Sequence, residues 1–549
     1  MLRSTKVSGS FTDLDDDVLD LIIKQILLGS YQSLKRADPW ALGADKAFMM
    51  GLSLTCKKIR ACVISWLFRE IIWPGNKPSV TRMLEPLVLD GEFHKARPVA
   101  EYPRVPDVIL PHIRRLFIRC HRKILSEPLL QSMPQMTSLT SVIFDCKFTP
   151  PVDVVELIAR LPSVVGVGFL QTPLDFRLSS YEFLHLEHLS LRIASGQIVI
   201  NNGPAINAAT SEVHRPTMNG FPACFVDTRG ARAQLQNTTE AEISKQLMAA
   251  NISSLRYLEV NASLLQWCEF EKMEWPCLHT FVLSGSPPVN LSRPIVSFLR
   301  GMKSLSDLQF RWVHQKGCLF RLSPDSTSAN LSELFPALSS LTVTNPTPSD
   351  QCYAHLPPGL NHLFLPVVYP KYGSGLSFSD ARTILHSIAA GPAILSTLHF
   401  QLRCFTSLEI IQEVAQGFPN LQSLEIGTMY NDRDPSPNTV SWDVYADALS
   451  PFVHLQKLRI APQFKFNGRP GCLGPILEEI NLAILLAKEV PSLQDVAFQS
   501  LASAGSHLSA QRSDTWNNWT TYELVRGKAE SGGKITILCD GDVCEGSES

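Results

Sequence analysis

The sequence predicts an α/β chain: a short N-terminal helical module, then a long irregular repeat solenoid whose parallel strands line a concave face. Three observations predict it. A six-residue frame, apolar-x-x-apolar-x-apolar, recurs thirteen times between Ile113 and Phe498; helical patterns fall between many copies; and ahead of them the apolar residues follow helical spacing. The length of 549 residues suits either three to four domains at about 150 residues each or one repetitive architecture. Lys plus Arg (49) nearly balances Asp plus Glu (51), which argues against a dedicated nucleic-acid binder. At 45% hydrophobic and 18% charged residues, a mostly disordered chain is excluded. The 38 prolines indicate short, interrupted elements.

The N-terminal helix starts near Asp13. Asp15 caps free N–H groups, Asp16 and Asp17 sit where the helix dipole favours negative charge, and Val18, Leu19, Ile22, Ile23, Ile26 and Leu27 form one apolar face. Gly29 ends the helix. A calcium-loop reading of Asp13, Asp15 and Asp17 fails, since Val18 and Lys24 stand where such a loop needs Gly and Glu. Beyond Pro39 and Gly43, helical spacing resumes with Phe48, Leu52 and Leu54, then Cys56, Ile59, Val63, Trp66 and Leu67. So small a module buries too little surface to stand alone and wants a partner or the rest of the chain.

These stretches carry a family likeness. Leu14-Asp15-Asp16-Asp17-Val18-Leu19-Asp20-Leu21-Ile22 resembles the opening of an F-box, and Leu52-Ser53-Leu54-Thr55-Cys56-Lys57-Lys58-Ile59-Arg60 with Trp66-Leu67-Phe68-Arg69-Glu70-Ile71 resembles its second half. The resemblance covers residues 13 to 73 within a module assigned to 13–75, with a linker over 76–111.

The thirteen frames begin at Ile113, Leu139, Val164, Leu186, Leu255, Leu278, Leu305, Leu338, Leu360, Leu395, Leu421, Leu455 and Leu493. Eleven of the twelve intervals average about 28 residues, within the range of leucine-rich repeats, whose L-x-x-L-x-L core the frame resembles. Helical patterns occupy Val154–Leu161, Ala241–Asn251, Pro294–Met302, Ser379–Ala390, Leu408–Phe418, Trp442–Leu449 and Leu473–Val490. Several end in Pro-x-apolar, as at Pro162, Pro419 and Pro491, where proline stops the helix and sets up the next strand. A doubly wound sheet is the competing architecture, disfavoured by the number of strands and the lack of a Gly-rich phosphate loop. The Asn or Cys that usually follows the frame is mostly missing, with Cys146 and Asn261 the loose exceptions. Together with the N-terminal module, this resembles a fungal-type F-box protein with an irregular leucine-rich-repeat-like solenoid over 112–500.

The one long interval, 69 residues, contains a polar segment read as an insertion over 194–239. The remaining residues, 501–549, read as a C-terminal cap and a disordered tail, with Thr521–Arg526 and Lys534–Cys539 able to pair as a hairpin.

No Walker loop, G-x-G-x-x-G, H-E-x-x-H or G-x-S-x-G motif occurs, so no catalytic residue, cofactor or metal is expected and the chain reads as a non-enzyme. His185, Glu187 and His188 open a repeat frame and read as strand surface. The 13 cysteines include no C-x-x-C pair, which suggests neither a disulfide framework nor a zinc ribbon. No apolar run reaches the roughly 20 residues of a membrane span and no secretory h-region follows Met1, so an intracellular location, cytoplasm and/or nucleus, is expected.

A solenoid without catalytic signatures binds. The middle residue between the last two frame positions faces the concave side, giving the row Phe117, Ile143, Gly168, Ser190, Glu259, Val282, Gln309, Thr342, Phe364, His399, Glu425, Arg459 and Ala497. Of these, Phe117, Glu259, Gln309, Phe364, His399, Glu425 and Arg459 are the candidates for contact with a protein target. The F-box resemblance implies that Leu14, Val18, Leu19, Ile22, Leu54, Cys56 and Ile59 meet a Skp-type adaptor and, through it, a cullin ubiquitin ligase. It implies no cofactor; the charge balance and the lack of a long apolar run lead us to expect neither nucleic acid nor membrane as a partner. The alternative is a repeat scaffold, unlinked to ubiquitin, whose N-terminal helices only cap the solenoid.

Overall fold

A computed structural model describes residues 68–74, 107–120, 126–146, 148–170, 172–180, 183, 185–192, 230–285, 295–312, 331–367, 375–403, 406–428, 441–461, 477–499, 519–526, 535–539 and 542–544. The chain divides into two compact units, Met1–Leu255 and Arg256–Ser549. The adaptor-facing residues expected from the F-box resemblance, Leu14, Val18, Leu19, Ile22, Leu54, Cys56 and Ile59, lie outside the described residues.

In the first unit, β1 (Glu70–Pro74), β2 (Arg115–Cys120), β3 (Ser141–Cys146), β4 (Gly166–Leu170) and β5 (His188–Arg192) pair in chain order, all parallel. Helices α1 (Ser126–Ser132) and α2 (Val152–Arg160) connect them, and α3 (Gly230–Asn251) packs on the turn at Phe176–Ser180. Two expectations are corrected. Residues 70–74 extend the sheet by one strand instead of ending a helical module, and α3 begins inside the segment assigned to an insertion.

The second unit continues the pattern. Strands β6 (Tyr257–Asn261), β7 (Thr280–Gly285), β8 (Asp307–Trp312), β9 (Ser340–Val343), β10 (His362–Leu365), β11 (Thr397–Leu402), β12 (Ser423–Thr428), β13 (Lys457–Ile460) and β14 (Asp495–Gln499) again pair parallel in chain order. That sequential order is a repeat topology, not a doubly wound one. Short helices α4 (Trp267–Phe270) and α5 (Leu331–Leu334) give way to longer ones, α6 (Phe378–Ala389), α7 (Leu408–Gly417), α8 (Trp442–Leu449) and α9 (Leu477–Glu489), each packed on the next. The Pro294–Met302 pattern forms a 3-10 turn over Ile295–Leu299, too short for an α-helix to develop.

Each of the thirteen frames carries one of β2–β14, and all frame residues are buried. Alternation explains this: the two apolar positions of each strand point to the helix side, and the residue between them points outward. Register is held at the strand starts by a repeated device in which one carbonyl accepts two successive amides of the next repeat. Thr140 and Ser141 share the Arg114 carbonyl, Ser306 and Asp307 that of His279, Ser396 and Thr397 that of Asn361, and Gln494 and Asp495 that of Gln456. Hydroxyls of Thr140, Ser306 and Ser396 reinforce the same carbonyls.

Among the described residues, differing short polar side chains satisfy the strand ends, Asn345 Nδ2 donating to the Trp312 carbonyl among them. Thr172 Oγ1 accepts from Cys146 N and donates to the Phe144 carbonyl, Cys146 Sγ donates to the Ile118 carbonyl, and Thr344 Oγ1 accepts from Trp312 N. Further along, Gln499 bonds both N and O of Thr428 through its side-chain amide. Buried backbone groups need partners, and any short polar side chain in reach can supply one.

Beyond β14 the pairing turns antiparallel through β15 (Trp519–Arg526), β16 (Ile535–Cys539) and β17 (Asp542–Cys544). The expected hairpin is present, and its partner strand continues into a third strand where a disordered tail was expected. Tyr522 and Ile537 are buried in this layer, so the last parallel strand is not left as an open edge.

Candidate polar face on the parallel sheet

In the second unit the outward residues of β8–β13 form a contiguous row, Gln309, Thr342, Phe364, His399, Glu425 and Arg459, one from each strand in register. Parallel neighbours lie about 4.8 Å apart, so the row spans about 24 Å. All six are half-buried.

The row is cross-linked. His399 Nε2 lies 3.3 Å from Glu425 Oε1, and Arg459 Nη1 donates to Glu425 Oε2 at 3.4 Å, so one carboxylate bridges three strands. Phe364 and His399 meet edge to face with centroids 6.2 Å apart, a favoured aromatic arrangement. On β8, Arg311 Nε donates to Gln309 Oε1 at 3.1 Å, and Gln309 Nε2 donates to Asp307 Oδ2 at 2.7 Å. Arg311 also stands 3.8 Å from Glu259 Oε1, whose other oxygen accepts from the Tyr257 hydroxyl. Burial pushes the Asp307 carboxyl above its usual range, opposed by hydrogen bonds from Gln309 and Ser340 and by the charges of Arg311 and His362. His362 Nδ1 in turn lies 3.0 Å from Thr397 Oγ1.

Register puts Ser340 between Asp307 and His362. That order is wrong for a nucleophile–base–acid relay, where the imidazole must sit between the acid and the hydroxyl. Among the described residues no three His, Cys, Asp or Glu side chains are grouped to hold a metal ion.

Of the target-contact candidates, Gln309, Phe364, His399, Glu425 and Arg459 fall in this one row. Two are corrected. Phe117, in the first unit, is buried with Ile143 beside it, and Glu259 is fully buried and held by Tyr257. Ile143, Ser190, Val282 and Ala497 are buried as well. Alternation assigns a side chain to a face, and burial there follows when apolar neighbours are more stable out of water.

Sequence reasoning missed Arg311 and Lys457. Each lies on the same face two residues from a row position, a placement the period of two already supplies. Lys457 pairs with Asp495 directly across β13 and β14, at 3.4 Å.

The fold and this face define an α/β repeat chain with a mostly parallel sheet, short helices between the strands and a polar, partly aromatic outward row. No family model matches the chain, and no curated protein matches it. Among solved structures it is similar to one described as the complex of Rad7 and Elc1 in yeast, at 11% identity with a TM-score of 0.35, covering 79% of this chain and 97% of that one.

Proposed function

We propose that the chain is the target-recognition subunit of a Skp/cullin/F-box ubiquitin ligase, built as an F-box module followed by a leucine-rich-repeat solenoid. The observation that carries the binding role is the half-buried row from Gln309 to Arg459, which combines an aromatic residue, a carboxylate and a guanidinium on one face of a parallel sheet. Such a mixture suits a protein or peptide ligand. The link to ubiquitin rests on the F-box resemblance of residues 13–73. In this reading Leu14, Val18, Leu19, Ile22, Leu54, Cys56 and Ile59 pack against the adaptor. The chain itself makes and breaks no bonds, works inside the cell and needs no cofactor; it accelerates transfer by holding a target beside the ubiquitin-charged enzyme.

Co-purification with a Skp-type adaptor tests this, comparing wild type with Leu14→Ala/Ile22→Ala and checking folding by circular dichroism. Stoichiometric binding by wild type, lost in the folded double variant, is expected. Well-folded wild type that binds no adaptor would overturn the ligase assignment.

A further inference from the structure

We draw no further inference here: the strongest candidate, the outward face of β2, β3 and β5 in the first unit, where Phe117, Ile143 and Ser190 are buried, carries nothing because nothing in the structure shows what covers it.

Discussion

Replacing Tyr522 by Phe isolates a buried polar contact between the C-terminal strands and the last helix. The Tyr522 hydroxyl on β15 donates to Glu479 Oε2 on α9 at 2.6 Å, and both side chains are buried. Burial pushes the Glu479 carboxyl above its usual range, and the Tyr522 hydroxyl works against that rise by bonding the charged form. Because the folded pKa is raised above the unfolded one, the stability this proton contributes is complete below the unfolded value and is lost as pH rises through the folded value. Removing the hydroxyl raises the folded pKa further, so the damage grows with pH. A hydrogen bond to a charged group contributes about 1.5–3 kcal/mol, and that is the expected cost at a pH above the folded pKa, where Glu479 is ionised. Near pH 4, where Glu479 is protonated, the cost should fall to about 1 kcal/mol or less. The ring contact with Phe498 at 5.7 Å survives in the variant, which limits the change to the hydroxyl. Urea unfolding followed by tryptophan fluorescence at the two pH values measures the difference. Equal destabilisation at both would refute the reasoning.

Three further outcomes follow from single positions. Gly285 has φ +92° and an added Cβ would stand 2.6 Å from Asn261 Oδ1, which accepts from Ser263 N, so Gly285→Ala should cost about 2–3 kcal/mol in urea unfolding, and a cost under about 0.5 would contradict the account. Tyr445 donates to the Thr406 carbonyl at 2.8 Å, and burial with the Glu409 charge pushes its hydroxyl up to about 12; in an ultraviolet difference titration, the phenolate lost in Tyr445→Phe should be one that forms near that pH, not near 10. For Asp307, whose raised carboxyl loses stability as pH climbs past its unfolded range, Asp307→Asn should be neutral or stabilising by about 1 kcal/mol at pH 7 and without that benefit below about pH 4; a net loss at pH 7 would show that the pairing with Arg311 and His362 outweighs burial.

The strand positions were legible because each frame repeats one physical demand, two apolar side chains turned to the helices around one turned away. Leu398, His399 and Phe400 on β11 are a direct case. Helix ends were legible where Ser begins and Pro follows: Ser407 accepts from Ile410 N at the start of α7, and Pro419 stands two residues past its end. What covers a face is a long-range fact, so Phe117 and Glu259 were placed on the right side of their strands and misjudged in exposure. The polar ends of the strands were illegible for another reason. Cys146, Thr172, Thr344 and Gln499 meet the same backbone demand with different side chains at different offsets, and no single motif records it.

Hydrogen–deuterium exchange of the full chain with and without a Skp-type adaptor tests the central claim most directly, because it separates an adaptor-binding end from a target-binding sheet. The account predicts slowed exchange within residues 13–73, and unchanged exchange over Asp307–Trp312, His362–Leu365, Thr397–Leu402, Ser423–Thr428 and Lys457–Ile460. Protection of those strands by the adaptor, or no protection anywhere, would contradict it.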